Sequence, residues 1–286
     1  MPGPRIAIAT CADYADLKVD DELLGEALQA RGCEAVSVVW DRDRVDWPGV
    51  DLCLVRSTWD YHEKYAEFLE WTRRVEAATA LHNPADLIAW NSDKTYLREL
   101  AEVGVPTVPT LWAEHGSDLD LVAELTTRGW EEAVVKPVVD LGAKNLHRVR
   151  SSGAAQDALA TVLSRQDAMV QPFLPSLETE GELSLIHIEG AFSHAVRKRP
   201  APGDFRVQSI WGGTMAPAEP EARHLEIAER ALATLDEAPL YARVDLVMDL
   251  EANPVLIELE LIEPNLYLST DQTAAERLAN AVLTQL

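Results

Sequence analysis

The chain has 286 residues, 47% of them apolar and 26% charged, and 25 Lys+Arg against 48 Asp+Glu leave a net charge of −23. That length suits two or three lobes with substantial cores, and the composition is that of a globular protein. So acidic a chain repels nucleic acid and anionic membrane surfaces, which excludes both as nonspecific partners while leaving room for a local basic pocket.

The stretch "MPGPRIAIAT" has neither the basic region nor the long apolar core of a signal peptide. No apolar run reaches the roughly 18 residues of a membrane span. The cysteines Cys11, Cys33 and Cys53 form no disulfide framework and fit a reducing cytoplasm. Cys11 follows the first strand without a histidine or base motif near it, so it reads as a buried thiol.

Residues 1–90 alternate strand and helix. "RIAIAT" is a buried strand and "DDELLGEALQARG" an amphipathic helix closed by Gly32. The strands "EAVSVVW" and "DLCLVR" follow, then the helix "HEKYAEFLEWTRRVEAATA". This pattern predicts an N-terminal parallel α/β lobe with ligand-facing loops at the strands' carboxyl ends. A glycine-rich dinucleotide fingerprint is absent after the first strand.

Residues 91–174 read as a compact central lobe. "NSDKTYLRELAEVGVP" has an Asn/Ser/Asp start, a helical run and a Gly-Val-Pro stop. "EEAVVKPVVDLGAKNLHRVR" is two strands joined by a loop around Gly142, and a helix near 153–164 leads to the strand "AMVQPFL". Residues 175–286 form a third lobe, of antiparallel sheet. It opens with the hairpin "GELSLIHIEGAFSHAVRKRP", turning at Glu189-Gly190, and continues through "GDFRVQSIWGG" and a helix near 220–235. A second hairpin over 240–262 and a final helix complete it. The fold class is therefore α/β with an α+β character.

The second hairpin concentrates charge. Symmetric pairing of "LYARVDLVM" with "VLIELELI" sets Met248 against Val255, Asp245 against Glu258 and Arg243 against Glu260. Strand parity puts the four charged residues on one face with Tyr241 beside them. A solvated sheet face is the competing reading. Three carboxylates against one arginine leave surplus negative charge, so they are expected to repel one another until a hard cation, magnesium above all, joins them.

Two cationic sets complement this face. Lys136 ends the buried strand "AVVKP", Lys94 opens a helix, and the loop "VVDLGAKN" adds Gly142, Lys144 and backbone amides suited to a polyphosphate. Arg197, Lys198, Arg199 and Arg206 cluster in "SHAVRKRPAPGDFRVQ", a seat for a carboxylate or a developing phosphate charge.

In this order the pieces resemble the ATP-grasp superfamily over roughly residues 90–265. "NSDKTYLRELAEVGVPTVPT" and "VVKPVVDLGAKN" are similar to the segments bearing its two ATP lysines, which fall on Lys94 and Lys136. "VQPFL" resembles the hinge that contacts adenine, implicating Gln171, Pro172, Phe173 and Leu174. "ARVDLV" with "VLIELE" resembles the magnesium hairpin, which makes Asp245, Glu258 and Glu260 ligands and places Arg243 near the phosphoryl group. "GDFRVQSIWGG" resembles the glutathione synthetase and ribosomal-protein glutamate-ligase branch, where the arginine at the position of Arg206 helps hold an acyl phosphate. "RSTWDYHEKYAEFLEW" and "FSHAVRKRPAPGDFRV" further resemble the cyclo-ligases of cycloserine formation.

The resemblance implies a ligase that uses ATP and Mg2+ to join a carboxylate and a nitrogen through an acyl phosphate. Arg206, Arg243 and Lys198 would act at the reacting phosphoryl group. Arg56, Ser57, Trp59, Arg197 and Asn265 would face a small, amino-acid-like carboxylate substrate. Relatives commonly carry Asn where Glu260 stands and several glycines where this phosphate loop has one. The products separate this reading from a phosphotransferase and from a nucleotide-binding module, and a homodimer is left open.

Overall fold

The computed structural model describes residues 3–17, 20–42 and 44–286. Three sheets organise them. The first is parallel, in the order β2-β1-β3-β4, from β1 (Arg5–Thr10), β2 (Glu34–Val39), β3 (Leu52–Val55) and β4 (Ala80–His82). Alternation along β1 explains its two covered faces. Ile6 and Ile8 meet Leu24 and Leu28 of α1 (Asp20–Gln29), while Ala7 and Ala9 make room for Phe68 and Trp71 of α2 (Tyr65–Glu76). All three cysteines are buried and unpaired, and burial raises each thiol's pKa.

The helix expected to run to residue 80 stops at Glu76, and the chain turns into β4. Alanine-rich sequence favours helix there, but pairing with β3 overrides that local preference. A helix not expected from the sequence, α3 (Ala85–Asn91), follows, so Asn91 ends one helix instead of opening the next. The next, α4 (Tyr96–Glu102), starts after Thr95.

The second sheet runs β5-β8-β6-β7, from β5 (Leu111–Ala113), β6 (Glu132–Pro137), β7 (His147–Arg150) and β8 (Ala168–Pro172), all antiparallel. Helices α5 (Leu121–Arg128) and α6 (Gly153–Leu163) share an apolar core with it.

The third sheet is antiparallel, in the order β11-β10-β9-β12-β13. Its strands are β9 (Glu182–Ile188), β10 (Ala191–Arg199), the unexpected edge strand β11 (Thr214–Pro217), β12 (Tyr241–Met248) and β13 (Pro254–Glu260). Glu189 and Gly190 both take positive φ between β9 and β10, the geometry of a two-residue hairpin turn. A short helix, α7 (Ser176–Thr179), precedes β9, and α8 (Ala222–Leu232) packs Ile227, Ala228 and Ala231 against Leu183, Leu185 and Val244.

The opposite face of this sheet is divided. Ile186, Ile188 and Tyr241 join one core with Leu24 and Leu28 of α1 and with Leu278 and Val282 of α9 (Ala274–Thr284). This core crosses the lobe boundaries expected at residues 90 and 175. Farther along the same face, Glu182, Ser184, Lys198 and Asp245 replace the apolar side chains.

Candidate active site

The hairpin of β12 and β13 builds the centre. Met248 pairs with Pro254, Val247 with Val255 and Leu246 with Leu256. A bulge then shifts the register, so Asp245 faces Glu258 and Arg243 faces Glu260. The expected pairing of Met248 with Val255 is therefore corrected by one residue, because Ile257 is left over at the bulge. Carboxylate oxygens of Asp245, Glu258 and Glu260 lie within 4.8 Å of one another.

The three carboxylates are already neutralised by the protein. Asp245 accepts from Ser184 Oγ at 2.5 Å, Lys198 Nζ at 3.2 Å, and Arg243 Nε at 3.0 Å and Nη2 at 2.9 Å. Arg243 also holds Glu260 and donates to the Asn265 carbonyl at 3.1 Å. Lys94 Nζ sits 3.2 Å from Glu258 Oε1 and donates to the Asp140 carbonyl at 2.8 Å. Lys198 holds Glu182 as well. Four cations, counting Lys136, thus offset the repulsion that the carboxylates still exert on one another.

Burial and charge set the protonation. Burial would raise the pKa of Asp245, but Arg243 and Lys198 hold it well below the usual carboxylate range. Burial would raise Glu258 too, yet Lys94 and Lys136 bring it below its ordinary value. Glu260 is pushed up to about 7 by burial, against the pull of Arg243 and with help from Glu258. Burial pushes Lys136 down to about 8, an effect that Glu258 partly offsets and Lys94 reinforces. Burial also raises Glu263 well above the usual range, with Glu260 adding to it.

Next to this centre, the loop between β6 and β7 turns through Gly142 at φ +68° and Ala143 at φ +56°. Asp140 holds it from inside, accepting from Asn145 Nδ2 at 2.7 Å. Lys144 is exposed. Leu141 packs against the apolar core of the first sheet, and the Gly142 carbonyl accepts from Trp211 Nε1 at 2.9 Å.

The expected hinge leaves the second sheet at the end of β8. Gln171 is buried and donates to Thr110 Oγ1 at 3.0 Å, and Pro172 ends the strand. Phe173 N–H donates to the Glu132 carbonyl at 2.9 Å, and Arg148 stacks 3.5 Å from the centroid of its ring. Leu174 joins an apolar cluster with Val108, Val247 and Val255.

Several expected substrate residues are placed otherwise. Arg197 pairs with Leu183, on the face opposite Lys198 and Asp245, so strand alternation removes it from this centre. Arg56 is buried, bound to Asp21 at 3.0 Å and to the Pro264 carbonyl at 2.8 Å, and Ser57 also binds Asp21. Both tie the first sheet's loop to α1 through Asp21, and Arg56 also fastens it to the segment after β13, with one guanidinium nitrogen, Arg56 Nη1, left without a partner. Trp59 Nε1 donates to the Glu263 carbonyl at 3.0 Å across the same seam. Asn265 Oδ1 accepts from Tyr267 N–H at 2.9 Å. Arg206 is bound by Asp204 and stacks over Trp211 at 3.5 Å, with no contact to the three carboxylates.

Residues the sequence reading passed over include Glu182, Ser184 and Asp140. The first two carried a signal: polar residues alternate with leucines in "ELSL", the same period that exposed the hairpin. Oxygen-only donors within 4.8 Å suit a hard divalent cation such as magnesium, and they are the only such grouping among the described residues.

Residues 6–83 match the family model for the N-terminal domain of D-cycloserine synthetase DcsG, and residues 104–264 match that for the ATP-grasp domain of prokaryotic glutathione synthetase. The cycloserine biosynthesis protein DcsG of Streptomyces lavendulae is 32% identical over 98% of this chain and 98% of its own. The crystal structure of D-cycloserine synthetase DcsG superposes with a TM-score of 0.90 at 31% identity, over 98% of this chain and 99% of that one. The ATP-grasp ligase PsnB, complexed with minimal precursor, Mg and ADP, shares the fold at 16% identity and a TM-score of 0.65, over 98% of this chain and 97% of that one.

Proposed function

This chain belongs to the ATP-grasp ligases, and from that membership we propose that it closes a ring within an amino-acid-like substrate, using the residues gathered around Asp245, Glu258 and Glu260. As a member it is an ATP-dependent ligase that forms a C–N bond through an acyl phosphate. Its likeness to DcsG along nearly the whole length supports cyclisation in particular, because the N-terminal lobe matches as well as the ATP-grasp core.

One observation carries the assignment of the site. Lys94 contacts Glu258 directly and Lys136 lowers its pKa, so both lysines converge on a carboxylate of the oxygen-donor set. On this reading Lys94 and Lys136 turn to the ATP phosphates, and the loop through Gly142 closes over them. Asp245, Glu258 and Glu260 would hold magnesium, which when bound neutralises phosphate charge. A substrate carboxylate oxygen attacks the γ-phosphorus, the bond to ADP breaks, and Arg243 faces the charge that passes between them. A nitrogen of the same molecule then attacks the acyl carbon, phosphate leaves, and the nitrogen loses a proton. The protein's main contribution is to hold the two ends of one substrate together.

Product analysis tests this. Purified protein with ATP, magnesium and ureido or amino-oxy amino acids should release ADP and inorganic phosphate together with a ring product lighter than its substrate by one water. Hydroxylamine should trap a hydroxamate from the acyl phosphate. AMP with pyrophosphate, or a stable phosphorylated product without a new C–N bond, would overturn the reading.

A further inference from the structure

Trp211 stands between two parts of the site that the sequence reading treated separately. Its indole N–H donates to the Gly142 carbonyl at 2.9 Å, on the loop over the phosphate position. The same ring carries the Arg206 guanidinium at 3.5 Å, a cation–π distance. Asp204 fixes that guanidinium by hydrogen bonds to Arg206 Nε at 3.0 Å and Nη2 at 2.7 Å. Ile210 also lies close to this turn, its Cδ1 3.6 Å from where a Cβ on Gly142 would sit. The chain Asp204–Arg206–Trp211–Gly142 therefore joins the segment 203–213 to the loop 138–146 through one side chain.

We propose that Trp211 is a positioning residue that makes these two loops move as one, so that closing the loop over ATP also sets Arg206 and shuts water away from the acyl phosphate. The consequence is specific. With the Trp211–Gly142 bond in place, nucleotide binding orders both loops. Without it, the nucleotide loop closes alone, and water reaches the acyl carbon or phosphorus. Water then takes the place of the substrate nitrogen, and acyl phosphate plus water gives back the carboxylate and inorganic phosphate. ATP is consumed and no ring forms. The last step of this inference rests on the ligase reading, whereas the coupling of the loops does not.

Trp211→Phe separates the two contacts, because phenylalanine keeps an aromatic face for Arg206 and removes the N–H donor. Hydrogen exchange is followed over 138–146 and 204–211 with magnesium and a non-hydrolysable ATP analogue, and ADP release is compared with product formed. In the wild type both segments should gain protection at the same nucleotide concentration, and ADP should match product. In Trp211→Phe, protection of 204–211 should fall away from that of 138–146, and ADP per product should rise by about threefold or more. Unchanged joint protection, or an unchanged ADP-to-product ratio, overturns the proposal. A purely structural role would lower the melting temperature and leave that ratio alone. If the wild type makes no ADP with any substrate, the ligase reading fails, and the exchange arm still decides the coupling.

Discussion

Lys94 and Glu258 face each other at 3.2 Å, a cation from the turn before α4 and an anion from β13. Each is assigned to a different ligand, one to phosphate and one to metal. In the free protein they satisfy each other instead, and this decides what a mutation at either position does.

Glu258→Gln should lower magnesium-dependent turnover by at least about 100-fold, since an anionic ligand is lost beside the phosphates. It should also destabilise the free protein, by about 1–3 kcal/mol, because Lys94 and Lys136 lose their common counter-charge. Urea unfolding without nucleotide measures this. The sign matters, since carboxylates that merely repelled one another would make the variant more stable. The pair's contribution also has a pH signature. The carboxyl pKa is depressed on folding, so the stabilisation is present above the ordinary glutamate range and is lost as pH falls through the folded value.

Lys136 titrates near 8 in the free protein, against 10.5 for an ordinary lysine. Only the ammonium form suits a phosphate, so the KM for ATP should rise as pH climbs through about 8. Lys136→Arg stays charged and should lose that inflection even if its turnover is poorer. Stability runs the other way. Between about 8 and 10.5 the unfolded chain binds more protons at this position, so stability rises with pH across that window and is flat below it.

Glu260→Asn is the milder probe of the carboxylate set. Asparagine keeps an oxygen donor and removes a group that burial pushes up to about 7. Some activity should remain, with a higher magnesium requirement. A magnesium titration of ADP release with unchanged half-saturation would count against Glu260 as a ligand.

His187 lies on the other face of the third sheet, opposite Ala242 and 5.8 Å from the Phe192 ring centroid. Burial pushes it down to about 4, although the Leu185 carbonyl opposes this slightly. The unfolded chain takes up a proton near 6.5 and the native one near 4, so acidification between those values favours unfolding. By pH 4 the loss from this residue should approach about 2–3 kcal/mol. His187→Leu should flatten that part of the stability curve. An equally steep loss in the variant would show that other groups drive it.

The charged hairpin was legible because period-two alternation carries the same information in sequence and in space. Asp245 meets Glu258 and Arg243 meets Glu260 as parity requires, whereas the pairing of Met248 depends on a bulge that leaves no compositional mark. Arg197 shows the opposite hazard. It adjoins Lys198 in sequence and therefore points to the other face, so a cationic cluster along the chain is not one in the fold. β4 was missed because pairing with β3 outweighed local helix preference. Arg56 and Ser57 looked free because their partner, Asp21, belongs to a helix far away in sequence. Counter-charges supplied from distant elements are invisible to a window, and this centre depends on them.

The packing of α9 on α1 also bears on synthesis. Leu24 and Leu28 complete their core only with Leu278 and Val282, which a ribosome adds after β13. During translation α1, lying on the first sheet, therefore keeps the flank that meets α9 open until nearly all the rest has emerged, an interval in which chaperones or aggregation compete for it. Excising residues 1–90 as a separate piece would make that transient exposure permanent. The lobe that looks most independent along the chain is the one whose folding must wait longest.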